Sequence, residues 1–351
     1  MTSHPITGQR PTPHDDVASP TMRAITQDRY GTADVLRLAV VDRPDPGSGE
    51  VLVQVHAAGV DRGVWHLMTG QPYLIRLLGF GLRRPAQPIP GMDVAGTVVA
   101  VGEGVERFSV GDEVFGIARG AYAEYAVASE DKLAPKPEAS TFEQAAVATV
   151  SGITALQALT DVGRLQPGMR VLVIGASGGV GTYAVQIAKA LGAVVTGVAS
   201  AEKADLVRSL GADRVVDYAT DPYLDGSHRY DLIIDIGGRN PVRRLRRALE
   251  GAGTLVIVGG EGGGRLTGGM GRQIRALFTS LFVPQRMTMF IAEEHHVHIA
   301  RLAGYLEAGT VVPAVGARFD LAGVPQALHR IAAGGIRGKA VVVVRGEAEP
   351  R

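Results

Sequence analysis

The stretch Arg170 to Ser200, RVLVIGASGGVGTYAVQIAKALGAVVTGVAS, limits what this chain can fold into more than any other. Val171 to Ile174 form a short unbroken apolar run, as in a strand covered on both faces of a parallel sheet. Gly175, Gly178 and Gly181 follow in a G-x-x-G-x-x-G arrangement. Glycine at those positions permits a tight turn, close approach of a pyrophosphate, and close packing of a helix on the strand. Beyond the turn, Val180, Ala184, Ile187, Ala188 and Leu191 recur at helical spacing on one face, with Lys189 off it. Gly192 is the stop signal, and Val194 to Val198 supply the next strand. Glycines alone would fit a structural turn in any α/β protein. The order strand, glycine turn, helix, strand predicts a dinucleotide, with helix-start amides facing its phosphates. Gly175, Ser177, Gly178, Gly179, Val180 and Gly181 are the expected contacts.

A chain of 351 residues fits two domains, each large enough for its own core. Formal net charge is +1, so no global field favours nucleic acid or an anionic membrane as a partner. The absence of cysteine excludes disulfides, thiolate metal sites and a cysteine nucleophile together. No run approaches the ~18–20 apolar residues of a membrane span, and the N-terminus lacks the plan of a signal peptide. The expected location is the cytoplasm. Met1 to Thr21 has no hydrophobic period and reads as a disordered tail; folding is expected to begin near Met22, which is also a candidate translation start.

From Met22 to about Phe142 short strands alternate with turn residues: Leu36 to Val41, Val51 to Ala58, Asp93 to Val101, Glu113 to Ile117 and Ala121 to Val127. Between them Leu74, Ile75, Leu77, Leu78 and Phe80 crowd together; core is the plainer reading, a lid or pocket wall the sharper one. Thr141 to Asp161 carries a helical period and should bridge the two domains. From Arg170 to Gly260 strands and helices alternate, as in a doubly wound parallel sheet, with a helix expected over Asn240 to Glu250. Glu261 to Phe282 breaks that rhythm with a glycine run and an apolar helix. A strand over Gln285 to Ile291, a helix over His295 to Ala308, and the last strands from Val311 to Val344 follow, with a helix from Val324 to Ala333.

These segments in this order resemble the medium-chain dehydrogenase/reductase superfamily, in its zinc-free quinone oxidoreductase-like branch. The resemblance runs from Met22 to Val344. Its marks are GVERFSVGDEVFG (Gly104 to Gly116), AYAEYAV (Ala121 to Val127), SGITALQAL (Ser151 to Leu159), GASGGVG (Gly175 to Gly181), LGADRVVDY (Leu210 to Tyr218), DLIIDIGG (Asp231 to Gly238) and GTLVIVGG (Gly253 to Gly260). It implies an α/β fold: a GroES-like β-barrel catalytic domain over residues 22–145, completed by 310–351, and a Rossmann doubly wound parallel-sheet domain over 146–309. The active site would be the cleft between them. Zinc-dependent members carry a cysteine after an A-x-G turn, a G-H-E motif and a four-cysteine lobe. Here Asp61 stands at the first position, and Gly91, Met92 and Asp93 replace G-H-E, so no zinc cofactor is expected. Glu293, Glu294, His295, His296 and His298 are the remaining metal candidates, through the helical spacing of Glu294 and His298. A polar helix start explains them equally, and no metal ligand is assigned.

NAD-preferring sites end the second strand with an acid that holds the ribose diol. Here that strand ends Ala199 and Ser200, with Lys203 following, which predicts NADP binding over NAD; Glu202 is the residue that could turn inward and favour NADH. The resemblance adds Tyr218 to the 2′-phosphate pocket and places Thr154, Gly237, Gly259 and Gly260 beside the nicotinamide half. It also places Leu277 to Val283 over the substrate. Lys339 returns to the cleft with the last strand or is a solvated turn residue. Quinones and enones are already activated hydride acceptors, whereas a simple ketone usually needs zinc or an acid. Asp61, His66 and Tyr73 are the candidate catalytic groups: Asp61 for orientation, or for proton transfer if burial raises its pKa, and His66 or Tyr73 as proton donors. Packing is the plainer reading of His66 and Tyr73. Two alternatives stay open: a zinc-independent NADP-dependent alcohol dehydrogenase, and a non-catalytic nucleic-acid or partner-binding protein that retains the cofactor fold. The latter rests on Arg243, Arg244, Arg246 and Arg247, which also read as the solvated face of a helix. A homodimer through Gln285 to Ile291 is expected.

Overall fold

A computed structural model describes residues 20–260, 264 and 266–345. The tail over 1–19, and Glu261, Gly262, Gly263 and Arg265 of the glycine run, lie outside the described residues. Thr21, placed in the tail by sequence, opens a strand. β1 (Thr21–Thr26) pairs antiparallel with β2 (Arg37–Asp42). Met22, Ala24 and Ile25 are buried, so the chain enters the fold directly.

β3 (Glu50–Val60) is followed by α1 (Arg62–Thr69), β4 (Asp93–Val101), β5 (Glu113–Ile117), β6 (Tyr125–Ser129) and β7 (Leu133–Pro135). β3 lies at the centre of the barrel sheet. It pairs with β4, with β6, and with a C-terminal strand, which is why its valines and alanines are buried on both sides of the pleat. Next come α2 (Phe142–Ala146), capped by Thr141 and Gln144 in a reciprocal capping box, and α3 (Thr149–Gln157).

The nucleotide domain runs β8 (Arg170–Ile174), α4 (Gly179–Ala190), β9 (Val194–Ala199), α5 (Ala204–Ser209), β10 (Arg214–Asp217), β11 (Tyr230–Asp235), α6 (Val242–Arg247), β12 (Leu249–Ile257), α7 (Met270–Ser280), β13 (Arg286–Met289) and α8 (His296–Glu307). Its six strands are parallel in the order β10-β9-β8-β11-β12-β13. The chain winds outward one way from β8 and the other way from β11, so the crevice at their carboxyl ends is the switch point where such sheets bind ligands. β14 (Val315–Asp320), α9 (Val324–Ala332) and β15 (Lys339–Val343) then return to the first domain, where β15 pairs with β3.

Three sequence expectations need correction. The segment 240–250 is not one helix, because Leu249 already belongs to β12, in register with Tyr230. The apolar cluster after α1 is not core: Leu77 and Leu78 are 69% and 68% exposed, and Phe80 is exposed as well. α4 is buried on more than one stripe, with Gly181 to Ala188 all buried, because the sheet lies on one side and α3 on another. The α6 arginines do form the exposed face, while Val242 and Leu245 point inward. Among the described residues no helix is long and apolar enough to cross a membrane.

Candidate active site

The glycine turn is fixed by its own backbone. Gly175 has φ +90°, and its N–H and that of Ala176 both donate to the Val198 carbonyl, at 3.1 and 3.0 Å. A Cβ on Gly181 would fall 2.1 Å from the Gly175 carbonyl oxygen, so only glycine lets α4 pack this closely. α4 starts behind Gly178 with no capping side chain, which leaves that end open to an anionic group. Opposite stands Gly237: the Cβ position of Gly175 lies 3.3 Å from its nitrogen. The chain leaving β8 thus passes close to the chain leaving β11, with glycine on both sides of the approach.

Against this turn the barrel domain, with Ser151 of α3, sets a buried polar cluster. Asp61 precedes α1 but does not cap it with its side chain; its carboxylate instead takes a hydrogen bond from Lys339 and, at 3.0 Å, one from the Ser151 hydroxyl. The Lys339 ammonium also donates to Ser151 at 3.1 Å and lies 3.6 Å from Asp93 Oδ2. Asp93 accepts from the Val150 N–H at 2.9 Å. Lys339 is only 2% exposed and Asp93 fully buried, so Lys339 is no solvated turn residue. The Cβ position of Gly179 lies 3.1 Å from both Lys339 Cδ and Ser151 Oγ. The Gly338 N–H donates to the Ser177 carbonyl at 3.0 Å. The cluster therefore touches the glycine turn.

Two carboxyls share one ammonium here, and their titrations separate. Burial, then the Asp61 charge, push Asp93 well above the carboxylate range against the pull of Lys339. Burial also acts on Asp61, but the Lys339 charge and hydrogen bonds from Asp93, Lys339 and Ser151 outweigh it and hold Asp61 below its ordinary value. Asp61 Oδ2 and Asp93 Oδ2 have no donor if both groups are ionised. A proton on Asp93 removes that defect by bonding the two oxygens to each other. The two shifts run in opposite directions, which favours the ionised form at Asp61 and the protonated form at Asp93.

His66 lies on α1 beside Trp65, and its Nδ1 is 2.8 Å from the Gln71 carbonyl. A carbonyl only accepts, so Nδ1 carries the hydrogen. Tyr73 is partly exposed under the Arg76 guanidinium, whose carbon is 4.5 Å from the ring centre. The Leu74 N–H donates to the Leu266 carbonyl at 3.2 Å, bringing this wall onto the loop before α7. Thr154 turns its hydroxyl back onto the Val150 carbonyl at 2.6 Å. Gly259 approaches so closely that a Cβ would sit 1.9 Å from the Ile236 carbonyl oxygen. Its own carbonyl accepts from Arg272 Nη2 at 3.0 Å, while Nη1 pairs with the fully buried Asp235. Burial raises the Asp235 carboxyl despite that partner.

At the carboxyl end of β9, the Ser200 hydroxyl is 3.4 Å from Glu202 Oε1, and Tyr218 stands largely exposed after β10. The Lys203 ammonium donates to the carbonyls of Gly334 and Ile336, at 2.7 and 3.2 Å, so it joins the two domains. Arg337 pairs with Asp205 at the same corner. Sequence reasoning missed Asp93, Ser151, Asp235, Arg272 and Arg337. Asp93 was visible only as a departure from G-H-E, and Ser151 only as the first letter of a motif. Leu277, Phe278 and Leu281, expected over the substrate, line an open pocket of about 450 Å³ with Arg286, Met287 and Thr288 of the edge strand β13.

A glycine turn at a switch point, facing a polar cluster from a barrel domain, is the layout of an NAD(P)H-dependent oxidoreductase. Residues 47–138 match the family model for the alcohol dehydrogenase GroES-like domain, and residues 210–342 the one for zinc-binding dehydrogenase. The chain is 33% identical over 337 residues to the quinone oxidoreductase of Rattus norvegicus, covering 92% of this chain and 98% of that protein. The quinone oxidoreductase of Coxiella burnetii superposes with a TM-score of 0.82 at 27% identity, over 93% of this chain and all (100%) of that one. The Escherichia coli quinone oxidoreductase, solved with NADPH, gives 0.79 at 26% identity, over 92% and 100%. The chain belongs to the quinone oxidoreductase-like branch of the medium-chain dehydrogenase/reductase superfamily. It is an oxidoreductase enzyme.

Proposed function

We propose that the protein transfers a hydride from NADPH to a quinone or an α,β-unsaturated carbonyl, without a catalytic zinc. One observation carries the reading: the buried Lys339 ammonium, held by Asp61 and Ser151 against Gly179 of the glycine turn. A fixed cation faces Asp61, where zinc-dependent relatives place a metal ligand. Met92 offers a thioether in place of an imidazole, and Asp93 is fully buried and bonded to Val150. That donor set does not fit a catalytic zinc, so no step runs through one.

The bare glycine backbone at Gly181 and Gly259 fits a dinucleotide, since a Cβ at either would strike a carbonyl. When bound, the nicotinamide supplies the hydride. The remaining work is alignment and exclusion of water. We assign Gly175 to Gly181 to the pyrophosphate, Thr154, Gly237, Gly259 and Gly260 to the nicotinamide side, and Ser200, Lys203 and Tyr218 to the 2′-phosphate. The preference for NADPH draws support from the absence of a strand-end acid at Ala199 and Ser200 and from the NADPH-bound relative. Glu202 beside Ser200 weighs against it. Asp61 and Lys339 set a fixed charge pair beside the turn, and His66 and Tyr73 are the candidate proton donors in the cleft wall.

The chain is also proposed to form a homodimer through β13. This edge strand pairs only with β12 among the described residues, and exposed apolar side chains flank it, Ile291 at 88% and Phe282 at 84%. For the chemistry, NADPH deuterated at nicotinamide C4 should deliver deuterium to the β-carbon of an enone product. A product without deuterium, or no NADPH consumption with either acceptor class, overturns the proposal.

A further inference from the structure

We propose that Asp131, His295 and His296 form a binding site for a transition-metal ion of the zinc class, one that ties the barrel domain to the nucleotide domain away from the glycine turn. The three residues come from two domains. Asp131 sits on the 130–132 turn between β6 and β7, while His295 is the N-cap of α8 and His296 its first residue. One ligand atom from each lies within 4.8 Å of the other two. Tetrahedral zinc with its usual bond lengths to nitrogen and oxygen separates its ligands by about 3.3–3.5 Å. His296 Nδ1 and Asp131 Oδ1 are 3.4 Å apart.

The contact falls short of good hydrogen-bond geometry, and His296 Nδ1, an atom shut off from water, has the Asp131 carboxylate as its facing group. A ring nitrogen and a carboxylate oxygen held face to face at this spacing can share a metal ion in place of a proton. The His295 ring lies 4.2 Å from that of His296, centre to centre, close for two rings that would repel as cations. Two imidazoles and one carboxylate form a borderline donor set suited to Zn²⁺, Ni²⁺ or Cu²⁺. The local charge is mixed. Glu294 pairs with Lys132 at 2.8 Å, and Glu293 lies 3.3 Å from His298. Arg107 is the opposing cation, with its guanidinium turned onto the carbonyls of Glu130 and Leu133.

This is not the pairing suggested by helical spacing. Glu294 lies ahead of the helix and is held by Lys132, and His298 faces Glu293 and Asp161. Asp131, more than 160 positions from either histidine, carried no signal. The absence of cysteine removes the competing thiolate sites that complicate such measurements.

The test uses the untagged full chain, stripped with chelator and titrated with Zn²⁺ alone by equilibrium dialysis, and with Co²⁺ for its visible spectrum. The expected result is one Zn²⁺ per chain at micromolar concentration and a Co²⁺ spectrum of tetrahedral intensity. Binding should weaken on the order of tenfold or more in His296→Gln and in Asp131→Asn. His329→Gln, at the separate contact with Asp34, should bind as the wild type does. Zn²⁺ should raise the unfolding temperature of the wild type and not of a His295→Gln, His296→Gln double variant. Absence of saturable binding, or equal binding by the double variant, overturns the proposal.

Discussion

Asp61, Asp93 and Lys339 show what single residues can and cannot reveal. The sequence marks Asp61 as unusual, but its cation partner lies 278 positions away and Asp93 reads only as a lost motif. No local pattern encodes a pairing made by the return of β15 onto β3. Lys339→Met strands two buried carboxyls and should cost about 3–5 kcal/mol in urea unfolding, with the family fold retained in whatever remains soluble. Asp93 gives a signed pH effect. Its pKa is raised on folding, so its contribution is full below the ordinary aspartate value and is lost as pH rises through the raised one. Asp61 is shifted the other way and acts only on the acid side. Asp93→Asn keeps a donor for Asp61 and an acceptor for the Val150 N–H. Urea midpoints measured across that window should fall with pH in the wild type and stay flatter in the variant; equal slopes would contradict a protonated Asp93. Lys203→Ala should lower kcat/KM for NADPH by roughly tenfold or more with a smaller effect on NADH. An equal loss with both would assign Lys203 to its carbonyl contacts alone.

Among elements, those whose burial follows one period were legible and those shaped by several neighbours were not. β4 and β5 fall at the positions read from apolar runs and turn residues. α4 was readable as a helix but not as one buried nearly all round, because the second face is covered by α3 from outside the unit. β7 is three residues long and owes its existence to β5. The exposed leucines after α1 break the rule that apolar clusters lie inside. α7 is tied down by Arg272, which reaches Asp235 and the carbonyls of Asn240 and Gly259. Arg272→Ala leaves Asp235 buried without its cation and frees the Gly259 loop. The expected loss is about 3–5 kcal/mol of stability, with a raised KM for NADPH; an unchanged KM would separate α7 from the cofactor site.

The whole molecule is a barrel and a nucleotide domain joined at several points that sequence reading did not pair: Ser177 with Gly338, Lys203 with the 334–336 segment, and Lys339 with Ser151. The two-domain plan and the glycine turn were legible because each is a local pattern repeated in order. The cleft chemistry was not, because its groups meet only when the last strand closes the barrel. Light scattering should report a dimer, and a monomer would remove the assignment of β13 as an interface. The most direct test of the central claim follows NADPH oxidation by the chelator-treated protein against matched quinones, enones and simple ketones. Turnover with a quinone or an enone, undiminished by chelator and far above that with the ketones, is the predicted result. Ketone reduction or secondary-alcohol oxidation restored only by added zinc would contradict it.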